Sequence, residues 1–220
     1  MADRVVDVCY VTLDFDSDFK ISPVKLRGFL AHLFASISEF HHHSDQSYHY
    51  PLIQYKRIDK KLAVVGINNF SEIIFQNMSR LDHITTETQK IPLNSIEIKN
   101  HSYTLEFVHT RYKFLSPWIA LNEKNYAKFK ESKNIEKKQF LEKILVGNIL
   151  SMLKGFGIFI DHKIIVSITK FKSIPVTVHK NKFAGMHAEF ETNVLLPDYL
   201  GLGKSVTKGF GTIARRPHDT

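Results

Sequence analysis

The sequence contains little cysteine and no long apolar run. Cys9 is the only cysteine among 220 residues, so the chain cannot form an internal disulfide, and we expect a buried thiol in a reducing compartment. No apolar stretch reaches the roughly 18 residues of a membrane-spanning helix. The first residues include acids where a secretory signal would be basic, so we expect no export signal and a cytoplasmic location.

What the sequence does have is a basic second half. Residues 1–110 carry 11 Lys and Arg against 13 Asp and Glu, a balance of −2, whereas residues 111–220 carry 19 against 9, a balance of +10. This asymmetry favours a polyanionic partner, most often a nucleic acid. A membrane surface is the alternative, but the sequence shows no basic amphipathic helix with an exposed apolar face.

The first half predicts a β-α-β-β-α-β succession. Ser22 followed by Pro23 is typical of a helix start, with serine as the cap and proline in the first turn. Asp59 and Lys60 separate two apolar strands closely enough for a short hairpin. The predicted elements are a strand at 4–14, a helix from 23 to about 39, strands at 51–58 and 61–67, a helix at 69–81 and strands at 94–99 and 102–110. This order is the ferredoxin-like arrangement.

The second half predicts a similar arrangement, although no segment of it matches the first half in sequence. An apolar stripe that ends at Lys154 and Gly155 marks a long helix. The predicted strands lie at about 111–116, 163–171, 174–180 and 186–196, with a last short strand that ends at Arg215 and Arg216. The sequence therefore predicts an α+β protein of two tandem ferredoxin-like domains, residues 1–110 and 111–220.

A glycine-rich stretch, GLGKSVTKGFG, occupies residues 201–211. Its Gly-x-Gly-x5-Gly-x-Gly spacing, after two ferredoxin-like patterns, resembles the RAMP superfamily of CRISPR-associated proteins. The stretch HYPLIQYKRI, which follows a helix and a histidine cluster, is similar to the repeat-processing endoribonucleases of that superfamily. The resemblance covers most of the chain by its order of elements and these two stretches by sequence. The order of elements alone would carry no function, because ferredoxin-like folds host many activities.

The resemblance implies an enzyme that cuts CRISPR repeat RNA to make guide RNAs. Members cleave without a metal or other cofactor, by attack of the 2′-hydroxyl on the adjacent phosphate, and leave a 2′,3′-cyclic phosphate. The implied partner is the repeat RNA, with subunits of a CRISPR effector complex as a further one, and the protein would be a monomer or a homodimer. Such a reaction needs a base, an acid and positive charge near the transition state.

The histidine-rich segment after the first helix supplies candidates for proton transfer. Histidine suits either proton role because its ordinary pKa is close to cellular pH, and the family pattern places a catalytic histidine just after the first helix. The resemblance ranks His43 first, then His41, then His49. A structural metal held by this cluster is the alternative, but metal ligands are usually separated along the chain, and neighbouring histidines point in different directions.

The strand after the histidines supplies the other catalytic candidates that the resemblance implies. Lys56 would stabilise charge on the transition state, and strand alternation places it on the same face as Gln54. Tyr48 or Tyr55 would orient the nucleophile or share the proton transfer. These residues complete the predicted catalytic set.

The glycine-rich stretch and the chain after it predict RNA contacts. Backbone that passes close to a sugar-phosphate chain must lack side chains, and its N–H groups can then donate to phosphate. The alternative is a glycine loop that only packs between the two domains. The predicted contacts are Gly201, Gly203, Lys204, Ser205, Thr207, Lys208, Gly209, Gly211, Arg215 and Arg216. Weaker candidates precede them at Lys170, Lys172, Lys180 and Lys182.

Two other functions fit the same features. A non-cleaving RAMP protein would hold guide RNA in an effector complex, and its histidines would be surface residues without a role in cleavage. A metal-dependent enzyme or sensor would instead use the histidine cluster as a ligand set. A cut in repeat RNA that a chelator does not prevent separates these possibilities from the endoribonuclease.

Overall fold

The computed structural model describes residues 5–16, 19–37, 49–86, 89–178 and 181–216. The chain forms two compact units. One contains the residues up to Thr104 together with Thr207–Gly209, and the other contains Leu105–Val206 and the chain from Phe210 onward. Within the described ranges, no helix has both the length and the apolar character that crossing a bilayer requires.

The first unit is built on a four-stranded sheet. Its elements are β1 (Val5–Asp14), α1 (Pro23–Leu33), β2 (Ile53–Ile58), β3 (Lys61–Ile67), α2 (Asn69–Met78), β4 (His83–Thr85), β5 (Lys90–Pro92) and β6 (Ser95–Thr104). The strand order is β2-β3-β1-β6, and all neighbouring strands are antiparallel, as in a ferredoxin-like fold. β4 and β5 form a separate small hairpin that the sequence analysis did not predict.

Helix α1 begins where the sequence predicts and ends earlier. The Ser22 hydroxyl accepts a hydrogen bond from the backbone N–H of Lys25, and Pro23 occupies the first turn. The helix ends at Leu33, whereas the apolar spacing predicts an end near Glu39. The apolar spacing continues past the end of the helix because Phe34 and Ile37 still pack against the core, although they lie in the turn that follows.

The β2–β3 hairpin is formed as predicted. Asp59 and Lys60 connect the strands with φ angles of +47° and +69°, the left-handed conformations that two-residue hairpins favour. One face of the sheet carries the apolar core, in which Tyr55 of β2 packs with buried side chains of α1 and α2 such as Leu26 and Ile74. The side chains that alternate with these lie on the opposite face of the sheet.

The second unit repeats the strand order of the first. Its elements are β7 (Thr110–Phe114), α3 (Glu123–Glu131), α4 (Asn134–Gly155), β8 (Val166–Val178), β9 (Asn181–Thr192) and β10 (Ile213–Arg215). The strand order β10-β7-β9-β8 corresponds to that of the first sheet, again antiparallel throughout. Between β9 and β10, where a ferredoxin-like fold has its second helix, the chain forms only a 3-10 turn at Val206–Lys208. The predicted α+β class and tandem ferredoxin-like organisation are confirmed.

Strands β8 and β9 form one long hairpin where the sequence predicts three strands. Their pairing runs from Val166 with Thr192 to Val178 with Asn181, with one irregularity at Ile168. Pro175 lies within β8, opposite Ala184 of β9. It is accommodated because β8 is at the edge of the sheet, where a missing backbone donor leaves no partner unsatisfied.

We expect Gly211→Ala to destabilise the protein. Gly211 has a φ angle of +64°, and a Cβ atom there would lie 1.9 Å from the carbonyl oxygen of Leu202. The left-handed conformation alone costs on the order of 1–3 kcal/mol for a residue with a side chain, and the backbone must also move. Thermal melting measures the loss.

The matched control for this change is Gly28→Ala in α1. A Cβ atom at Gly28 would meet nothing within 4 Å, and alanine favours a helix by up to about 1 kcal/mol over glycine. We therefore expect a small gain in melting temperature. Equal melting temperatures for Gly211→Ala and wild type would contradict the packing that the structure gives to this glycine.

Candidate active site

The predicted catalytic residues fall in two groups. His41, His43 and Tyr48 lie outside the described residues, so their placement stays a prediction. His49 is described and exposed, in the chain that leads into β2. The other two candidates, Tyr55 and Lys56, are neighbours within β2 and point to opposite faces of its sheet.

Lys56 lies opposite Ala63 of β3 and shares a sheet face with Gln54, as strand alternation predicts. Both side chains are fully buried. Burial penalises the charged ammonium and lowers the pKa of Lys56 to about 7. At neutral pH this lysine therefore exists in both protonation states, whereas an exposed lysine would carry a permanent charge.

Tyr55 lies on the core face of β2, and its side chain is fully buried. Its hydroxyl has no hydrogen-bond partner among the described residues. Burial raises the pKa of the phenol well above its ordinary value, and the positive charge of Arg27 on α1 opposes this shift only in part. Tyr55 is therefore protonated at neutral pH and can donate a hydrogen bond but cannot act as a base.

The turn Thr207–Gly209 belongs to the first unit. Gly209 has a φ angle of +89°, and a Cβ atom there would lie 3.1 Å from Cγ of Pro23 and 3.2 Å from the carbonyl oxygen of Tyr55. The backbone of the glycine turn thus packs against the start of α1 and against β2. The atoms that Gly209 approaches closely are therefore protein atoms.

The other glycines of the stretch also approach protein atoms closely. A Cβ atom at Gly203, whose φ angle is +92°, would lie 2.7 Å from the indole ring of Trp118. Gly211 is similarly close to Leu202, and Gly201 forms an isolated β-bridge with Thr212. Packing within the protein therefore accounts for the glycine requirement at Gly203, Gly209 and Gly211, and phosphate binding by their backbone stays a prediction.

Lys208 lies beside Gly209 and is partly buried. Burial lowers the pKa of its ammonium, and the positive charge of Arg27 lowers it further. Arg27 was not among the predicted site residues. Nothing in the sequence relates two cations 181 positions apart, and only the seating of the glycine turn on α1 brings them together.

Arg215, the last residue of β10, and Arg216, which follows it, are both paired with carboxylates. Nε of Arg215 lies 2.8 Å from Oδ2 of Asp198, and Nη1 of Arg216 lies 2.5 Å from Oε2 of Glu189. The Lys170 ammonium lies 3.8 Å from the same Glu189 oxygen. These acids offset part of the positive charge that the sequence predicts for RNA binding.

Other predicted RNA contacts remain accessible. Lys172 and Lys182 are exposed on the β8–β9 hairpin, and Lys204 is exposed in the glycine-rich stretch, whereas Lys180 lies outside the described residues. Ser205 adopts a left-handed φ angle of +58° beside it. Ser205 and Thr207 are partly exposed.

Within the described part of the chain, no three His, Cys, Asp or Glu side chains converge into a possible metal site. His41, His42 and His43 lie outside that part. The metal alternative for the histidine cluster therefore stays a hypothesis for experiment.

The comparisons with known proteins cover both units. Family models for the Cas6b N-terminal domain and the Cas6b C-terminal domain match residues 6–104 and 103–216. A crystal structure of Cas6b is 30% identical over 96% of this chain and 100% of its own, with a TM-score of 0.84. A second solved structure, named CRISPR RNA processing endoribonuclease Cas6b, is 29% identical over the same shares, with a TM-score of 0.75.

A relative of unassigned function adds a higher identity over a shorter span. An uncharacterised protein of Methanocaldococcus jannaschii is 49% identical over 105 residues, which is 48% of this chain and 71% of that protein. Its name says nothing of an activity, so it supports the relationship and not a function.

We expect Lys56→Met to reduce the pH dependence of stability. The pKa of Lys56 is about 7 in the folded chain and 10.5 for a solvated lysine. Between these values unfolding takes up a proton, so this residue makes the free energy of unfolding rise with pH, by up to about 1.4 kcal/mol per pH unit. Denaturant unfolding at several pH values between these limits compares the slopes of variant and wild type.

The control for this experiment is Lys61→Met, which removes an exposed lysine from the adjacent strand. It should leave the wild-type slope nearly unchanged, because the exposed ammonium keeps its hydration in the folded chain and its contact with Asp14, 3.6 Å away, is also exposed. A wild-type slope in Lys56→Met would instead show that Lys56 keeps an ordinary pKa and is not buried in solution.

Proposed function

Because this chain belongs to the Cas6b family, we propose that it is an endoribonuclease that cleaves CRISPR repeat RNA to release guide RNAs. The observation that carries the proposal is that the two Cas6b domain models together span residues 6–216. A solved structure that matches nearly the whole chain is also named as a CRISPR RNA processing endoribonuclease. The basic second half fits an RNA substrate.

The proposed reaction is metal-independent. A base removes the proton of the 2′-hydroxyl, the 2′-oxygen attacks the adjacent phosphorus, and the bond from phosphorus to the 5′-oxygen breaks while an acid protonates that oxygen. The products are a 2′,3′-cyclic phosphate and a 5′-hydroxyl. We assign proton transfer to His43 or His41, with His49 as the third candidate. His49 is exposed directly before β2, which leaves its ring accessible to RNA.

The two β2 candidates receive narrower roles than the sequence analysis gives them. Tyr55 is held protonated, so it fits a hydrogen-bond donor and not a general base. Lys56 is buried, so it can act on a phosphate only after RNA binding opens access to it. An approaching phosphate would then favour its charged form. Tyr48 keeps the orienting role that the family resemblance implies.

Burial of Lys56 is also the observation that favours the alternative function. A chain whose charge stabiliser stays inaccessible would bind repeat RNA as a subunit of a CRISPR effector complex and would not cut it. The two functions differ in one measurable property, which is whether bound repeat RNA is cleaved.

We expect alanine variants of the catalytic histidines to lose cleavage and keep binding. Removing a positioned acid or base typically slows a reaction by about 10²- to 10⁴-fold, so His43→Ala or His41→Ala should show a loss of this order. Phosphate binding is assigned to lysines and arginines elsewhere in the chain, so affinity should survive these changes. Single-turnover cleavage of repeat RNA in EDTA, for each of His41, His42, His43, His49 and Lys56 changed to Ala, measures the effect.

The control for this series is His162→Ala, which removes an exposed histidine of the second unit. It should cleave at the wild-type rate. If wild type binds repeat RNA without cutting it, the endoribonuclease proposal fails and the binding-subunit function replaces it. If wild type cuts the RNA and none of the five variants is slower, the assignment of proton transfer and charge stabilisation to these residues is wrong.

We expect RNA affinity to depend on the exposed lysines of the second unit. The combined change Lys172→Gln, Lys182→Gln and Lys204→Gln should weaken binding, because each phosphate contact releases counterions on binding. The dependence of log affinity on log salt should become shallower by roughly one unit per lost contact. Binding titrations at several salt concentrations give both quantities.

A charge-matched control separates phosphate contacts from general attraction. Lys130, Lys143 and Lys154 are exposed on α3 and α4, and changing all three to Gln removes the same total charge. This variant should retain most of the wild-type salt dependence. Equal losses in both triple variants would show that net charge, and not a defined surface on the hairpin and glycine stretch, determines affinity.

A further inference from the structure

Arg27 and Lys208 are brought together by the seating of the glycine turn. Arg27 follows Pro23 by four residues on α1, so the two side chains lie on the same face of the helix, one turn apart. Gly209 packs directly on Pro23, with only 3.1 Å between Cγ and the position of a Cβ atom. Lys208 precedes Gly209, and it lies close enough to Arg27 for the charge of the guanidinium to act on its ammonium.

The two cations repel one another without a neutralising acid. The positive charge of Arg27 lowers the pKa of Lys208, in addition to the effect of burial. Neither side chain forms an ion pair with a carboxylate among the described residues, whereas Arg215 and Arg216 each have one. Holding two unpaired like charges together costs free energy, which a bound anion would recover.

Tyr55 is a third group on which the charge of Arg27 acts. Its side chain is fully buried, its hydroxyl has no partner among the described residues, and the charge of Arg27 acts on it. A buried hydroxyl without a partner is uncommon and calls for a ligand or a functional explanation. The carbonyl oxygen of the same residue lies against the glycine turn, so strand β2, helix α1 and the turn all contribute to this place.

We infer that Arg27 and Lys208 together bind one phosphate of the RNA, and that Arg27 is a substrate-positioning residue. This inference depends on the proposed function because it takes the RNA as the ligand. A guanidinium can donate two parallel hydrogen bonds to a phosphate, and an ammonium supplies a compact charge beside it. Tyr55 is protonated but fully buried, so its hydroxyl can join this set only after RNA binding opens access to it. A single negative phosphodiester matches this set better than a neutral base.

The position of Arg27 in the chain indicates what its contact with a phosphate would do. Helix α1 leads directly into the histidine-bearing segment, and β2 follows that segment. A phosphate held between α1, β2 and the glycine turn would fix the RNA on the two elements that flank that segment in the chain. Correct placement of reacting groups is a large part of catalysis by such enzymes.

The test compares Arg27→Gln, Lys208→Gln, the double variant and Arg27→Lys in binding to the repeat RNA of the CRISPR array in the same genome. Each single Gln variant should lose roughly 10- to 100-fold in affinity, as expected for hydrogen bonds to a charged group. The double variant should lose less than the product of the two, because both residues hold the same phosphate. Arg27→Lys should show the same dependence of affinity on salt as wild type. Its affinity should lie between those of Arg27→Gln and wild type.

Lys25→Gln is the matched control, since it removes an exposed cation from the same helix. It should bind nearly as wild type does. A second probe is a set of repeat RNAs in which one linkage at a time is an uncharged methylphosphonate. Wild type should lose affinity at a particular linkage, and Arg27→Gln should be insensitive to the change at that same linkage.

Melting of the RNA-free protein distinguishes this role from a structural one. Arg27→Gln removes a repulsion, so its melting temperature should equal or exceed that of wild type, whereas a structural arginine would stabilise the fold and its loss would lower it. Three results would overturn the inference. They are wild-type affinity in Arg27→Gln, a loss in the double variant equal to the product of the two single losses, and an Arg27→Gln protein that responds to every methylphosphonate linkage as wild type does. Binding without cleavage by wild type would refute only the proposed enzymatic function.

Discussion

The packing of Gly209 against Pro23 and the Tyr55 carbonyl is the contact on which the site depends. No residue with a side chain could occupy that position without displacing the start of α1 or the backbone of β2. Because the turn is seated there, Lys208 lies close enough to Arg27 for that positive charge to lower its pKa. A glycine-rich sequence that suggests phosphate binding by backbone groups serves first to bring two parts of the chain together.

The energetic character of the site follows from burial. Lys56 and Tyr55 are adjacent in β2 and fully buried, and burial shifts each toward its neutral form. Arg27 and Lys208 lie near one another and form no ion pair with a carboxylate among the described residues. The unliganded protein thus holds groups that a polyanion would stabilise, which is a typical feature of functional sites and is unfavourable for stability alone.

The sequence was sufficient for the fold and the family because both depend on local patterns. The serine–proline start of α1, the turn at Asp59 and Lys60 and the end of α4 at Gly155 all lie where apolar spacing and turn residues indicate. The resemblance to repeat-processing RAMP proteins is confirmed as membership of the Cas6b family. The β8–β9 hairpin, predicted as three strands at 163–171, 174–180 and 186–196, is instead one long pair of strands. The proximity of distant positions, such as Arg27 and Lys208, leaves no local pattern in the sequence. The complete burial of Lys56 leaves none either, so both required the structure.

The most direct test of the proposed chemistry uses repeat RNA with a single 2′-deoxy nucleotide at the cut site. The reaction is run in EDTA with wild-type protein under conditions where all of the RNA is bound. The account predicts that unmodified RNA is cut to a fragment that ends in a 2′,3′-cyclic phosphate, identified by mass, and that the 2′-deoxy RNA is bound equally well and left intact. Cleavage of the 2′-deoxy RNA, or cleavage that requires an added divalent metal, would contradict the proposed mechanism.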